Sequence, residues 1–111
     1  MKILGIDPGT QITGFGVIET KCFPCFTSDK SKMPKVIDFG CIITESDSPA
    51  GERLKKIHDE INKLIDKHKP DLISVESIYF FKNLKTAMPV SQAKGVILLT
   101  AAKKKVPVLE F

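Results

Sequence analysis

No stretch of the chain is long and apolar enough to span a membrane, which excludes a transmembrane helix as its organising element. The beginning also lacks a secretory pattern, because Asp7 interrupts the short apolar run that follows Lys2. A cytoplasmic location is the expectation. Cysteine is scarce and odd in number: Cys22, Cys25 and Cys41. Without a secretory leader, an odd count argues against a disulfide framework. Cys22-Phe-Pro-Cys25 has the spacing of a redox or zinc pair. It follows a strand and enters a loop, however, where a redox pair would open a helix. A zinc site would need further ligands from Cys41, His58 and His68. Reduced, structurally neutral thiols are therefore expected. There is no internal repeat and no low-complexity segment. Arginine is nearly absent, since Arg53 is the one exception among seventeen basic side chains.

What remains is an ordinary globular composition. The 111 residues suffice for one small domain, with 42% apolar and 27% charged residues. The net charge of +4 is compatible with a polyanionic partner. On its own it is more often solvated surface.

The chain is organised around its first eighteen residues, MKILGIDPGTQITGFGVI. Ile3, Leu4 and Ile6 form a short apolar run with the look of a buried strand. Asp7 ends it, Pro8-Gly9 breaks it, and Gly14-Phe15-Gly16-Val17-Ile18 begins a returning strand. A carboxylate at the end of a buried strand, followed by small residues, suits a metal or phosphate site. It equally suits a plain turn, where Asp is common.

Residues 19–35 read as a long hairpin connection carrying Pro24, Pro34 and several lysines. A third strand follows over Val36–Thr44. Ser48 is the expected N-cap of a helix with Pro49 at its first position, running to about Lys69. Leu54, Ile57, Ile61, Leu64 and Ile65 form its apolar stripe. Pro70 ends it. Leu72-Ile-Ser-Val-Glu76 is the second place where an apolar run ends in a carboxylate. An aromatic loop, Tyr79-Phe80-Phe81, comes next. A second helix is expected over Thr86–Lys104, with Ala87, Val90, Ala93, Ile97, Leu98 and Ala101 inward and Gly95 signalling close packing. Lys103-Lys104-Lys105 suits the negative end of its dipole. Val106–Phe111 is a last strand.

The order is βββαβαβ, an α/β pattern. A meander followed by two helical crossovers predicts a five-stranded mixed sheet of order 3-2-1-4-5. Strands 1 and 4 are then parallel neighbours, and Asp7 and Glu76 meet at their carboxyl ends, where open α/β sheets bind ligands. Right-handed crossovers put both helices on one face and leave the other uncovered.

This arrangement resembles the RNase H-like fold, and its motifs resemble the RuvC-type Holliday-junction resolvases. The matching residues are Ile3-Leu-Gly-Ile-Asp-Pro-Gly-Thr10, Thr13-Gly-Phe-Gly-Val-Ile18, Phe39-Gly-Cys-Ile42, Arg53-Leu54, Pro70-Asp71, Val75-Glu76, Lys82-Asn83, Gln92-Ala-Lys-Gly95 and Pro107-Val108. Residues 20–35 stand apart as an insert. The resemblance implies a structure-specific endodeoxyribonuclease that cleaves four-way DNA junctions in recombination and repair. It implies a homodimer, a branch-migration helicase complex as partner, and magnesium as cofactor, with manganese a substitute. Asp7 and Glu76 map to catalytic, metal-binding carboxylates. Tyr79, Phe80, Lys82, Asn83 and Lys85 map to the DNA contacts. The family's further acidic pair lies on a C-terminal helix that these residues lack, so the single domain 1–111 is expected to be C-terminally truncated and weakly active. Rival readings are an actin- or hexokinase-like nucleotide-binding segment, a non-catalytic branched-DNA-binding remnant, and an RNase H-like nuclease of ribosomal RNA precursors. The first requires a second, Gly-rich phosphate loop, which the sequence lacks.

Overall fold

The computed structural model describes the backbone of residues 1–9, 11–21, 28–76 and 84–111, and their side chains except at 84–86. The strands are β1 (Lys2–Asp7), β2 (Ile12–Glu19), β3 (Lys35–Ile43), β4 (Leu72–Val75) and β5 (Val108–Glu110). The helices are α1 (Ala50–His68) and α2 (Leu84–Lys103). The sheet order is β3-β2-β1-β4-β5, as expected. β1 pairs antiparallel with β2 and parallel with β4, and β4 pairs parallel with β5.

One face of the sheet holds the core. Leu4 and Ile6 of β1, Val17 of β2, Ile42 of β3 and Ile73 and Val75 of β4 are buried there against Ile57, Ile61 and Ile65 of α1 and Ala93, Ile97 and Ala101 of α2. α1 buries the expected stripe because those isoleucines recur every four residues, on one side of the helix. Leu54 and Leu64 pack partly buried at its margin. Thr13, Thr20, Thr44, His68 and Thr100 are the polar side chains buried among the described residues. Thr100 donates to Val96 O and accepts from His58 Nδ1 at 2.8 Å. His68 reaches across to β3, its Nε2 lying 2.9 Å from Asp38 Oδ2.

The opposite face carries Ile12, Phe39 and Ile43, with Leu109 and Phe111 towards the β5 edge, all exposed. Its central positions are Gly5, Gly14 and Gly16, so the middle of this face has almost no side-chain relief. A bulge explains why Val36 and Ile37 are both exposed. Val17 pairs with Asp38 but Ile18 pairs with Val36, so Ile37 has no partner on β2 and the alternation of β3 restarts there.

Several local expectations are corrected. The N-cap position of α1 is Pro49 itself, with no side-chain cap bond, and Ser48 instead sits in a turn whose N–H reaches Glu45 O. α2 begins at Leu84, two residues early, and tolerates Pro89 in its second turn. Gly95 is exposed and a β-carbon there would meet nothing, so it reports no close packing. Val90 and Leu98 are only half-buried. β5 is shorter than expected, because Val106 and Pro107 belong to the turn that leaves α2. Within the β2–β3 connection, Lys30–Lys32 form a short 3-10 helix capped by the Asp29 carboxylate.

Candidate active site

The last paired residues of β1 and β4 are Ile6 and Val75. Asp7 and Glu76 are the next residues along, at the carboxyl ends of two adjacent parallel strands about 4.8 Å apart. Alternation decides which way they point. Ile6 and Val75 are in the core, so Asp7 and Glu76 belong to the open face, and both are exposed. The side-chain-free neighbour Gly14, the register partner of Asp7, leaves room beside that carboxylate. A methyl group at Gly14 would only touch the Asp7 β-carbon, at 3.9 Å.

The backbone around both carboxylates is held. After Asp7 the chain turns through buried Pro8 into Gly9, where a β-carbon would collide with the Ile12 carbonyl oxygen. The Pro8-Gly9 pair marks a turn. The stronger constraint is this close backbone approach, which requires three-dimensional knowledge of Ile12. Beside Glu76, the Phe111 N–H donates to Val75 O at 3.2 Å and ties the end of β5 to the end of β4. Among the described residues no basic side chain pairs with Asp7 or Glu76. No third His, Cys, Asp or Glu joins them among the described residues.

Tyr79, Phe80, Lys82 and Asn83 lie outside the described residues, as do Cys22 and Cys25. Lys85 falls in the first turn of α2, and its side chain is outside the description. Cys41 is a free, exposed thiol on β3. His58 and His68, weighed above as zinc ligands, are engaged with Thr100 and Asp38. Residues from two separate sequence matches, Arg53-Leu54 and Gln92, come together around a cavity of about 60 Å³ between the start of α1 and Pro89 of α2.

Comparison with known proteins gives this geometry a context. The family model of crossover junction endodeoxyribonuclease RuvC matches residues 3–111. The crossover junction endodeoxyribonuclease RuvC of Fusobacterium nucleatum is 38% identical over 111 residues, all of this chain and 54% of that protein. Its counterpart from Desulforamulus reducens is 42% identical, again over all of this chain and 63% of that protein. The chain thus spans between 54% and 63% of these relatives' length. The structure of Thermus thermophilus RuvC in complex with Holliday junction substrate matches with a TM-score of 0.86 at 25% identity, covering all of this chain and 65% of that one. The fold is RNase H-like, and the chain belongs to the family of the crossover junction endodeoxyribonuclease RuvC.

Proposed function

We propose that residues 1–111 form one domain carrying part of the nuclease centre of a Holliday-junction resolvase, with Asp7 and Glu76 as its catalytic, metal-binding carboxylates. The observation that carries this reading is the placing of two exposed carboxylates at the ends of neighbouring parallel strands, on a face whose centre is glycine. The Thermus relative was solved on a Holliday junction, and we extend that substrate class to this chain.

Magnesium takes hard oxygen ligands, and the two carboxylates offer them, so the donor set fits this cation or manganese. When bound, the metal supplies Lewis-acid activation of water and stabilisation of the leaving oxygen in phosphodiester hydrolysis. The chain's own residues orient it. The Gly9 approach fixes the turn after Asp7, and the paired end of β4 fixes the start of Glu76. Tyr79 and Phe80 would stack on an unpaired base, a contact worth about 1–3 kcal/mol. Lys82, Asn83 and Lys85 would meet the phosphate backbone. Homodimer formation, a branch-migration helicase partner and a cytoplasmic setting belong to the same reading.

The test joins two measurements. Magnesium titrated into the protein should shift the backbone amide signals of Asp7 and Glu76 together, and Asp7→Asn should abolish the response. In parallel, a four-way junction should bind more tightly than a linear duplex of the same arm sequence. Absence of any shift at millimolar metal, with no preference for the junction, would overturn the reading.

A further inference from the structure

We propose that the end of the sheet opposite the carboxylates is a second nucleic-acid contact, a row of lysines that holds the phosphate backbone of duplex DNA. This rests on the reading of the chain as a DNA-binding protein and adds a surface to it. The row follows from topology. β1 starts at Lys2, β3 starts at Lys35, and Lys21 lies two residues beyond the end of β2. Lys69 and Lys105 each stand three residues before their strands, β4 and β5. Given the strand directions, all five lysines lie at the same end, one for every strand in the sheet.

A second observation marks two of them. Among the described residues, Lys69 (φ 48°) and Lys105 (φ 58°) are the non-glycine residues with positive φ. Each closes a helix. The Lys69 N–H donates to Ile65 O at the end of α1. At the end of α2, Lys105 N–H donates to Ala102 O and Val106 N–H to Ala101 O, the two bonds of a Schellman ending. Such left-handed positions are usually glycine, because a β-carbon is strained there. Both helices place a lysine at this strained position, at the same end of the molecule. Strain kept at a surface position points to a use for the side chain. The helix dipole also favours a cation at a C-terminus, but a lysine one residue earlier would satisfy it without strain.

The remaining charge agrees. Lys21, Lys30, Lys32 and Lys35 line a cavity of about 500 Å³ at the β2–β3 end of the row, where Glu19 is the one acid among the lining residues. At the centre of the row, the Asp71 carboxylate accepts from the backbone N–H of Lys2 at 2.9 Å and keeps its charge, one acid among five lysines. Lys104, beside the row, is already paired with Asp66 at 2.7 Å.

The form of the row selects the partner. Five strands at about 4.8 Å spread the lysines over roughly 19 Å, too far to converge on one phosphate. Duplex DNA presents a charge about every 1.7 Å of its axis, so the row meets several at once. Lysine ammonium groups act as point charges and read no base pattern, so binding there is independent of sequence. Asp7 lies about 17 Å away along β1, so this contact grips duplex away from the bond being cut.

The experiment compares the unaltered protein with Lys69→Gly/Lys105→Gly and, separately, Lys21→Gln/Lys35→Gln. Binding to a linear duplex and to a four-way junction is measured across a salt series. Each lysine contact removed should lower the slope of log affinity against log salt by about 0.9, so each double variant should lose about 1.8 on both DNAs. The glycine pair should melt no lower than the parent, because it relieves left-handed strain. A folded glycine pair and a folded glutamine pair with the parental slope would overturn the proposal. If the slope falls while the parent shows no junction preference, the row stands and the resolvase reading fails. If the preference holds with an unchanged slope, the reverse is true.

Discussion

Gly9 and Gly16 flank the same hairpin, and a methyl group would affect them differently. At Gly9 it would collide with the Ile12 carbonyl, whereas at Gly16 it would meet nothing within 4 Å. Gly9→Ala should therefore cost about 1–3 kcal/mol through a forced backbone shift, while Gly16→Ala stays within about 0.5 kcal/mol. Chemical denaturation of the two variants checks this, and equal losses would refute it. Gly95→Ala should act the other way. This exposed position inside α2 is open to a side chain, and alanine there should gain about 0.5–1 kcal/mol. Asp38 supports a prediction about pH. Its hydrogen bond with His68 holds the carboxyl below its ordinary value, against the opposing effect of burial. A lowered folded pKa means that the stabilisation is complete above the unfolded value of about 3.9 and is lost as pH falls through the folded one. His68→Phe, which removes the donor, should move the Asp38 titration midpoint up towards the ordinary value, read from its carboxyl carbon shift. An unmoved midpoint would assign the lowering to another neighbour.

At the scale of elements, α1 is the part most legible in the sequence, because its isoleucines recur at 57, 61 and 65 and periodicity alone locates the buried face. Ile61 is fully buried, so Ile61→Ala should cost about 2–5 kcal/mol by transfer and cavity terms together. A loss below 1 kcal/mol in a denaturant melt would mean that α1 does not seat as described. α2 is less legible. Its period is blurred by alanines, and Pro89 suggests a later start than the backbone adopts. Pro89 has no N–H to offer the Lys85 carbonyl, so the first turn of α2 is held less firmly than the turns around Ala93 and Ile97. The bulge at Ile37 is invisible to composition, because it is a relation between two strands and not a property of either.

For the whole molecule, the strand order and the meeting of Asp7 with Glu76 were readable in advance. Two apolar runs each ended in a carboxylate, and crossover handedness left few topologies. The same handedness accounts for the open face. α1 and α2 share the side of Leu4 and Ile61, and Phe39 on the other side is 78% exposed. Contiguous apolar surface of this kind draws protein copies together. The 111-residue polypeptide should self-associate at high concentration, and Phe39→Lys with Ile43→Lys should reduce this in sedimentation experiments. Equal association by the variant would place the contact elsewhere. With two carboxylates and no third ligand among the described residues, this polypeptide should also nick a synthetic four-way junction poorly in magnesium. Efficient turnover that Asp7→Asn abolishes would refute that expectation.

The unpaired Ile37 separates two lengths of chain that would otherwise be locked together. In an unbroken hairpin, adding one residue between the strands forces the returning strand to present its other side. Here the slip occurs between Asp38 and Val36, just after the long connection ends. Everything from Asp38 onward keeps its phase with β2, with Asp38 towards His68 and Phe39 away from it. The change of phase is confined to that one residue, and the strands beyond it stay in step with β2.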